Sequence, residues 1–136
     1  MAIKIGVFAA DKIGLKIVSL FAERGIDLAC LVLDRQENED LNHQIKKTAN
    51  CRNIFYNEDL YETEVLGFLK SLRIDLVVLA WWPYIIKEPL FAISRMGFLN
   101  THPSFLPYNR GKHYYFWNLV EGVPFGVALH WIDKNI

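Results

Sequence analysis

Ile74-Asp75-Leu76-Val77-Val78-Leu79-Ala80 is a nearly continuous apolar run of strand length. A strand that is apolar on both of its alternating sides must be covered on both faces, which is the habit of parallel strands flanked by helices. A second such run, Ile3 to Ala9 (IKIGVFA), opens the chain. Ile13, Ile17, Val18 and Phe21 then fall at helical spacing, with Asp11 as the expected N-cap and Arg24-Gly25 as the end. Ile26 to Leu33 (IDLACLVL) reads as another strand, so the first three elements make a βαβ unit.

Working outward, residues 34–50 are polar, with Leu41 and Ile45 as the only helical anchors, which predicts a weak helix or a mobile surface segment. Asn53 to Tyr56 predicts a short strand. Leu60, Val65, Leu66, Phe68, Leu69 and Leu72 outline a helix interrupted by Gly67, a residue that marks either close packing or simple tolerance. Lys87 to Arg95 predicts a short helix with Pro89 in its first turn, and Gly97 to His102 a strand. A helix over His113 to Glu121 and a strand over Phe125 to Asp133 complete the pattern. Strands alternating with helices predict an α/β fold, an open and mostly parallel sheet whose ligands bind beyond the carboxyl ends of its strands.

The 136 residues suffice for one domain with a proper core, and 52% apolar against 22% charged residues is a globular composition. Fifteen basic and fifteen acidic residues cancel, which argues against an extensive nucleic-acid footprint. Cys30 and Cys51 show no metal spacing, and Cys30 in its apolar run reads as a buried thiol of a cytosolic protein. The amino terminus lacks the apolar core of a signal peptide and no stretch reaches membrane-spanning length, so a soluble, cytoplasmic protein with no membrane partner is expected.

The turn Phe8-Ala9-Ala10-Asp11-Lys12-Ile13-Gly14 lacks the G-x-G-x-x-G pattern that lets a backbone close on pyrophosphate, which argues against a dinucleotide oxidoreductase. Neither a P-loop nor a G-x-S-x-G elbow occurs, and Ser104 has no strand-turn-helix around it to make it a nucleophile. Chemistry concentrates instead in Asn100-Thr101-His102-Pro103-Ser104-Phe105-Leu106-Pro107-Tyr108-Asn109-Arg110-Gly111. Residues i and i+2 of an extended segment point to one side, so the Asn100 amide and the His102 ring converge. Pro103 biases His102 toward extended backbone. A hydrogen-bond donor beside a titratable ring suits a developing oxyanion.

A lone His at a strand end is more often structural than catalytic, but its surroundings reverse that balance here. N-x-H-P-S-x-L-P followed by Arg-Gly resembles the active-site signature of the folate-dependent formyltransferases. That family holds methionyl-tRNA formyltransferase, glycinamide ribonucleotide formyltransferase and the nucleotide-sugar N-formyltransferases. The resemblance extends over nearly the whole chain, including the IDLVVLA strand and Gly126-Val127-x-Leu129-His130. It implies a Rossmann-like catalytic domain spanning residues 1–136. It further implies an enzyme with N10-formyltetrahydrofolate as cosubstrate and no metal.

By the same resemblance, Asn100 donates to the formyl oxygen and His102 stabilises or protonates the oxyanion. Trp81, Trp82, Tyr84, Ile85 and Ile86 lie in the loop that wraps the pterin ring in the family, although a double Trp on residue type alone is more often a packing anchor. Asn109, Arg110 and Lys112 stand where the loop would meet the amine-bearing substrate. Its wording, P-Y-N-R-G-K-H followed by aromatics, is closest to the sugar N-formyltransferases. The expected acceptor is therefore a nucleotide-linked amino sugar, with methionyl-tRNA and glycinamide ribonucleotide as alternatives, and a non-catalytic folate or sugar-nucleotide binding fragment as an alternative of another class.

The family's catalytic Asp would be the residue after Ile136, and Asp133 resembles an upstream acidic position. The sequence therefore reads as a catalytic domain truncated at its carboxyl end, an inactive or nearly inactive piece. A homodimer of the full-length enzyme is also among the expectations. His43, His113 and His130 form no metal set at recognisable spacing, and His130 reads as structural.

Overall fold

A computed structural model of the chain describes residues 2–111 and 113–133. Six strands form one sheet: β1 (Ile5–Ala9), β2 (Leu28–Leu33), β3 (Ile54–Tyr56), β4 (Leu76–Ala80), β5 (Phe98–His102) and β6 (Ala128–Ile132). Four helices accompany them: α1 (Asp11–Glu23), α2 (Glu39–Thr48), α3 (Thr63–Ser71) and α4 (Tyr114–Glu121). The spatial order is β3-β2-β1-β4-β5-β6, and every neighbouring pair is parallel except β5–β6. The expected open, mostly parallel, Rossmann-like α/β sheet is thus present.

Alternation along the strands builds two cores. Val7, Ala9, Leu31, Leu33, Val78 and Ala80 face one way and pack with Val18 of α1 and Ile45 of α2. Phe8, Cys30, Val32, Val77, Leu79 and Phe98 face the other way, against Leu66 and Leu69 of α3 and against Trp82, Ile86, Leu90 and Ile93 from the segment after β4. Burying each large side chain of this kind contributes roughly 1.5–3 kcal/mol. Gly14 lies where α1 crosses the strand ends in close contact, for a Cβ there would lie 3.1 Å from the Ala80 carbonyl oxygen and 3.3 Å from Ala9, tighter than ordinary packing. Gly67, by contrast, has open space around it, so its place in α3 is simple tolerance.

Two expectations change in detail, and one left open is decided. The N-cap of α1 is Ala10, extended at φ −138°, and Asp11 is the first helical residue at φ 60°. The Asp11 N–H is satisfied from outside by Glu37 Oε2 at 2.9 Å, so the loop after β2 supplies the cap. Residues 39–48 form a true helix because Asn38 caps it, its side chain accepting from the Leu41 N–H at 3.2 Å. Residues 87–95 form no α-helix: only a 3₁₀ turn over Leu90–Ile93 appears. Pro89 disfavours helical backbone at Glu88, and the turn anchors its apolar face through buried Leu90 and Ile93, with Phe91 packing edge-on against Phe98 at 5.6 Å. Among the described residues no helix is long and apolar enough to cross a membrane.

Candidate active site

β4 and β5 run parallel, with Leu79 opposite Asn100, and β6 returns antiparallel with His130 opposite Asn100 and Ala128 opposite His102. Directly opposed residues share a face, so Phe98, Asn100 and His102 of β5 line up with His130 and Ile132 of β6 on the face that carries α3. Phe98 is fully buried beneath the segment after β4, whereas Asn100 and His102 are only partly covered. The site lies where the same strand face leaves its apolar cover.

The missing cover is a cavity of about 710 Å³. Asn100, Thr101 and His102 form one wall, Trp81, Trp82, Pro83, Tyr84, Ile85 and Ile86 another, and Arg110, His113, Tyr114, His130 and Asp133 contribute to the remainder. The five loop residues expected from the sequence are thus together, opposite the expected Asn-His pair. Arg110 joins them; Asn109 does not, because its side chain turns to the buried Asn118 of α4. Lys112 lies outside the described residues. Ser104 is fully buried and does not line the cavity.

Local contacts fix the loop before any ligand arrives. Trp81 turns the chain at φ 61°, and its N–H donates to Thr101 Oγ1 at 3.1 Å while that hydroxyl donates to the Leu79 carbonyl at 2.9 Å. Trp82 meets Phe8 edge-on at 5.4 Å and Tyr84 at 5.4 Å, and Phe8 meets Phe98 at 5.8 Å. Such aromatic pairs contribute about 0.5–1.5 kcal/mol each beyond their burial. The Tyr84 hydroxyl donates to Asp34 Oδ1 at 2.9 Å, and burial together with this bond pushes the Tyr84 phenol above its usual range. Trp82 Nε1 is buried without a hydrogen-bond partner among the described residues, a donor left over in an apolar wall.

Around the pair, His102 Nε2 approaches the Asn109 carbonyl at 3.3 Å, and Tyr114 packs edge-on against both His102 and Trp81 at 6.0 and 6.1 Å. A carbonyl only accepts, so a hydrogen bond here calls for the proton on His102 Nε2. Burial raises the Tyr114 phenol strongly, so it stands beside His102 as a neutral ring. The Asn100 Nδ2 lies 3.1 Å from His130 Nε2, and the His102 and His130 rings stand 6.1 Å apart. Sequence reasoning missed His130 as a member of this group. The signal available was the period-2 spacing of Ala128, His130 and Ile132, which sets a polar ring on an inward-facing row. Among the described residues no group of three or more His, Cys, Asp or Glu could hold a metal ion.

The family model described as "Formyl transferase" matches residues 16–136. The bifunctional polymyxin resistance protein ArnA of Wigglesworthia glossinidia brevipalpis is 26% identical over 98% of this chain, which covers 21% of that protein. A methionyl-tRNA formyltransferase of Thermotoga maritima is 39% identical over 40% of the chain, covering 17% of its own length. The chain therefore spans about a fifth of these curated relatives. Among solved structures, the phosphoribosylglycinamide formyltransferase of Streptococcus pneumoniae superposes with a TM-score of 0.75 at 26% identity, over 98% of this chain and 75% of that one.

Proposed function

Since the chain belongs to the formyl transferase family, we propose that it transfers a formyl group from N10-formyltetrahydrofolate to the amino group of a nucleotide-linked amino sugar. The observation that carries the reading is the cavity walled by Asn100 and His102 on one side and by Trp81 to Ile86 on the other. A flat, mostly apolar slot with a few backbone groups and one spare indole N–H suits a pterin ring. The folate supplies an activated formyl carbon beside the Asn-His pair. Asn100 Nδ2 donates to the formyl oxygen, and the His102 ring, giving up its 3.3 Å contact with the Asn109 carbonyl, turns its N–H to the negative charge that develops there as the amine adds. Tyr114 against His102 holds the imidazole plane and keeps water from that side.

The acceptor class rests on the wording of residues 107–113 and on the lack of net positive charge, which disfavours a tRNA. A free phosphate monoester such as that of glycinamide ribonucleotide is disfavoured by a further observation. The first N–H of α1, a natural anion seat, is already taken by the Glu37 carboxylate. Incubation of the full-length protein with N10-formyltetrahydrofolate and a panel of acceptors, read by mass spectrometry, tests the reading. Formylation of nucleotide-linked 3-amino or 4-amino sugars supports it. Formylation confined to methionyl-tRNA or glycinamide ribonucleotide replaces the acceptor, and folate binding without transfer to any amine establishes a binding protein instead.

A further inference from the structure

Asn100 and His130 face each other across β5–β6, and the surroundings of the His130 ring decide how the Asn100 amide is turned. His130 Nδ1 lies 3.1 Å from the Trp131 carbonyl oxygen, a group that can only accept, so the ring proton is on Nδ1. A neutral ring has one N–H, which leaves a lone pair on Nε2. That lone pair meets Asn100 Nδ2 at 3.1 Å, an amide N–H donor. The opposite amide orientation would set Oδ1 lone pairs against the Nε2 lone pair. The two-fold ambiguity of an Asn side chain is thereby removed: one N–H is anchored on His130, and the second N–H and Oδ1 have fixed directions.

We propose that His130 is a positioning residue that holds the Asn100 amide in one orientation through its Nδ1-protonated tautomer, and so sets which amide atom the formyl oxygen meets. The inference rests on the formyl-transfer reading for its consequence but not for its geometry. His102 provides an internal contrast, because its contact with the Asn109 carbonyl requires the proton on Nε2. Two rings 6.1 Å apart thus hold opposite tautomers. A merely structural His130 would fill space equally well as an aromatic ring without a lone pair.

Two measurements test this. Long-range proton–nitrogen NMR of the ¹⁵N-labelled wild-type protein reads the histidine tautomers directly; the expected result is a protonated Nδ1 and a bare Nε2 in His130, with the reverse in His102. Kinetics of His130→Phe and His130→Gln read the consequence. The Phe variant, which cannot accept, should lose kcat by about 30-fold or more with KM for the folate within about threefold, while Gln, whose carbonyl can accept from Asn100, should recover at least about tenfold of that loss. A His130 protonated on Nε2, or equal kcat in the Phe and Gln variants, overturns the proposal. If the wild type formylates no amine, the functional reading fails, and the tautomer spectrum still decides the positioning role.

Discussion

The Tyr84 hydroxyl and Asp34 Oδ1, fifty residues apart in sequence, are joined by a 2.9 Å hydrogen bond that ties the loop after β4 to the carboxyl end of β2. Asp34 also accepts from the Gln36 N–H at 3.0 Å, so removing the phenol does not orphan the carboxylate. Tyr84→Phe should therefore lower stability by only about 1 kcal/mol but loosen the cavity wall. Binding of a folate analogue, followed by tryptophan fluorescence, should weaken by about threefold to tenfold. Unchanged affinity would show that the tether does not shape the site.

Asn100→Ala and His102→Ala should each reduce formyl transfer by about 100-fold or more, in kcat rather than in KM. Both residues are partly exposed, so near-UV circular dichroism and the urea midpoint should stay close to wild type. Near-normal turnover in either variant would end the assignment of that residue.

Thr101 sits between these two residues and points to neither of their tasks. Its hydroxyl bridges the Leu79 carbonyl and the Trp81 N–H at the point where the chain leaves β4. Thr101→Val keeps the shape and strips both bonds, so urea unfolding should show a loss of about 1–3 kcal/mol, and Thr101→Ser should restore most of it. Equal stabilities for the Val and Ser variants would exclude the bridge as a stabilising contact.

Burial favours the neutral Cys30 thiol, with neighbouring Cys51 adding to the effect, and pushes its pKa from near 9.0 up to about 12. The folded chain thus keeps a proton that the unfolded chain releases, and its advantage is complete below pH 9 and lost as pH climbs toward 12. Tyr84 and Tyr114, also raised by burial, act in the same direction at alkaline pH. Unfolding free energy measured between pH 7 and 11 should fall on the alkaline side, and more gently in Cys30→Ala. Parallel slopes for the two proteins would contradict this account.

Much of the architecture was legible because it depends on local pattern. Runs such as Ile74–Ala80 announce strands covered on both faces, and all six strands fall within the stretches expected for them. What escaped depends on partners distant in sequence. The cap of α1 comes from Glu37, twenty-six residues away, so Asp11 was a reasonable but wrong N-cap. The apolar residues of 87–95 suggest a helix, yet the segment forms only a 3₁₀ turn after Pro89, anchored by Leu90, Phe91 and Ile93. In the site, Asn100 and His102 were readable from spacing within one strand. For His130 the period-2 spacing gives an inward-facing ring, but its place beside Asn100 is set by antiparallel pairing with a strand thirty residues away. Asn109 shows the reverse case, a polar residue in a suggestive motif whose side chain is committed to Asn118.

The alternation of Phe98, Asn100 and His102 along one face carries a further consequence for how this chain tolerates change in length. Core and chemistry occupy successive places in a single row, so they are addressed by parity. Deleting or inserting one residue between Phe98 and His102 would leave a ladder that still pairs, yet would send the side chains on one side of the change to the opposite face and split the row. Substitutions here can be graded in effect, whereas a one-residue insertion or deletion acts as a switch. Natural variation in chain length should accordingly gather in the connections, and the distance from Phe98 to His102 should be inherited as a fixed count.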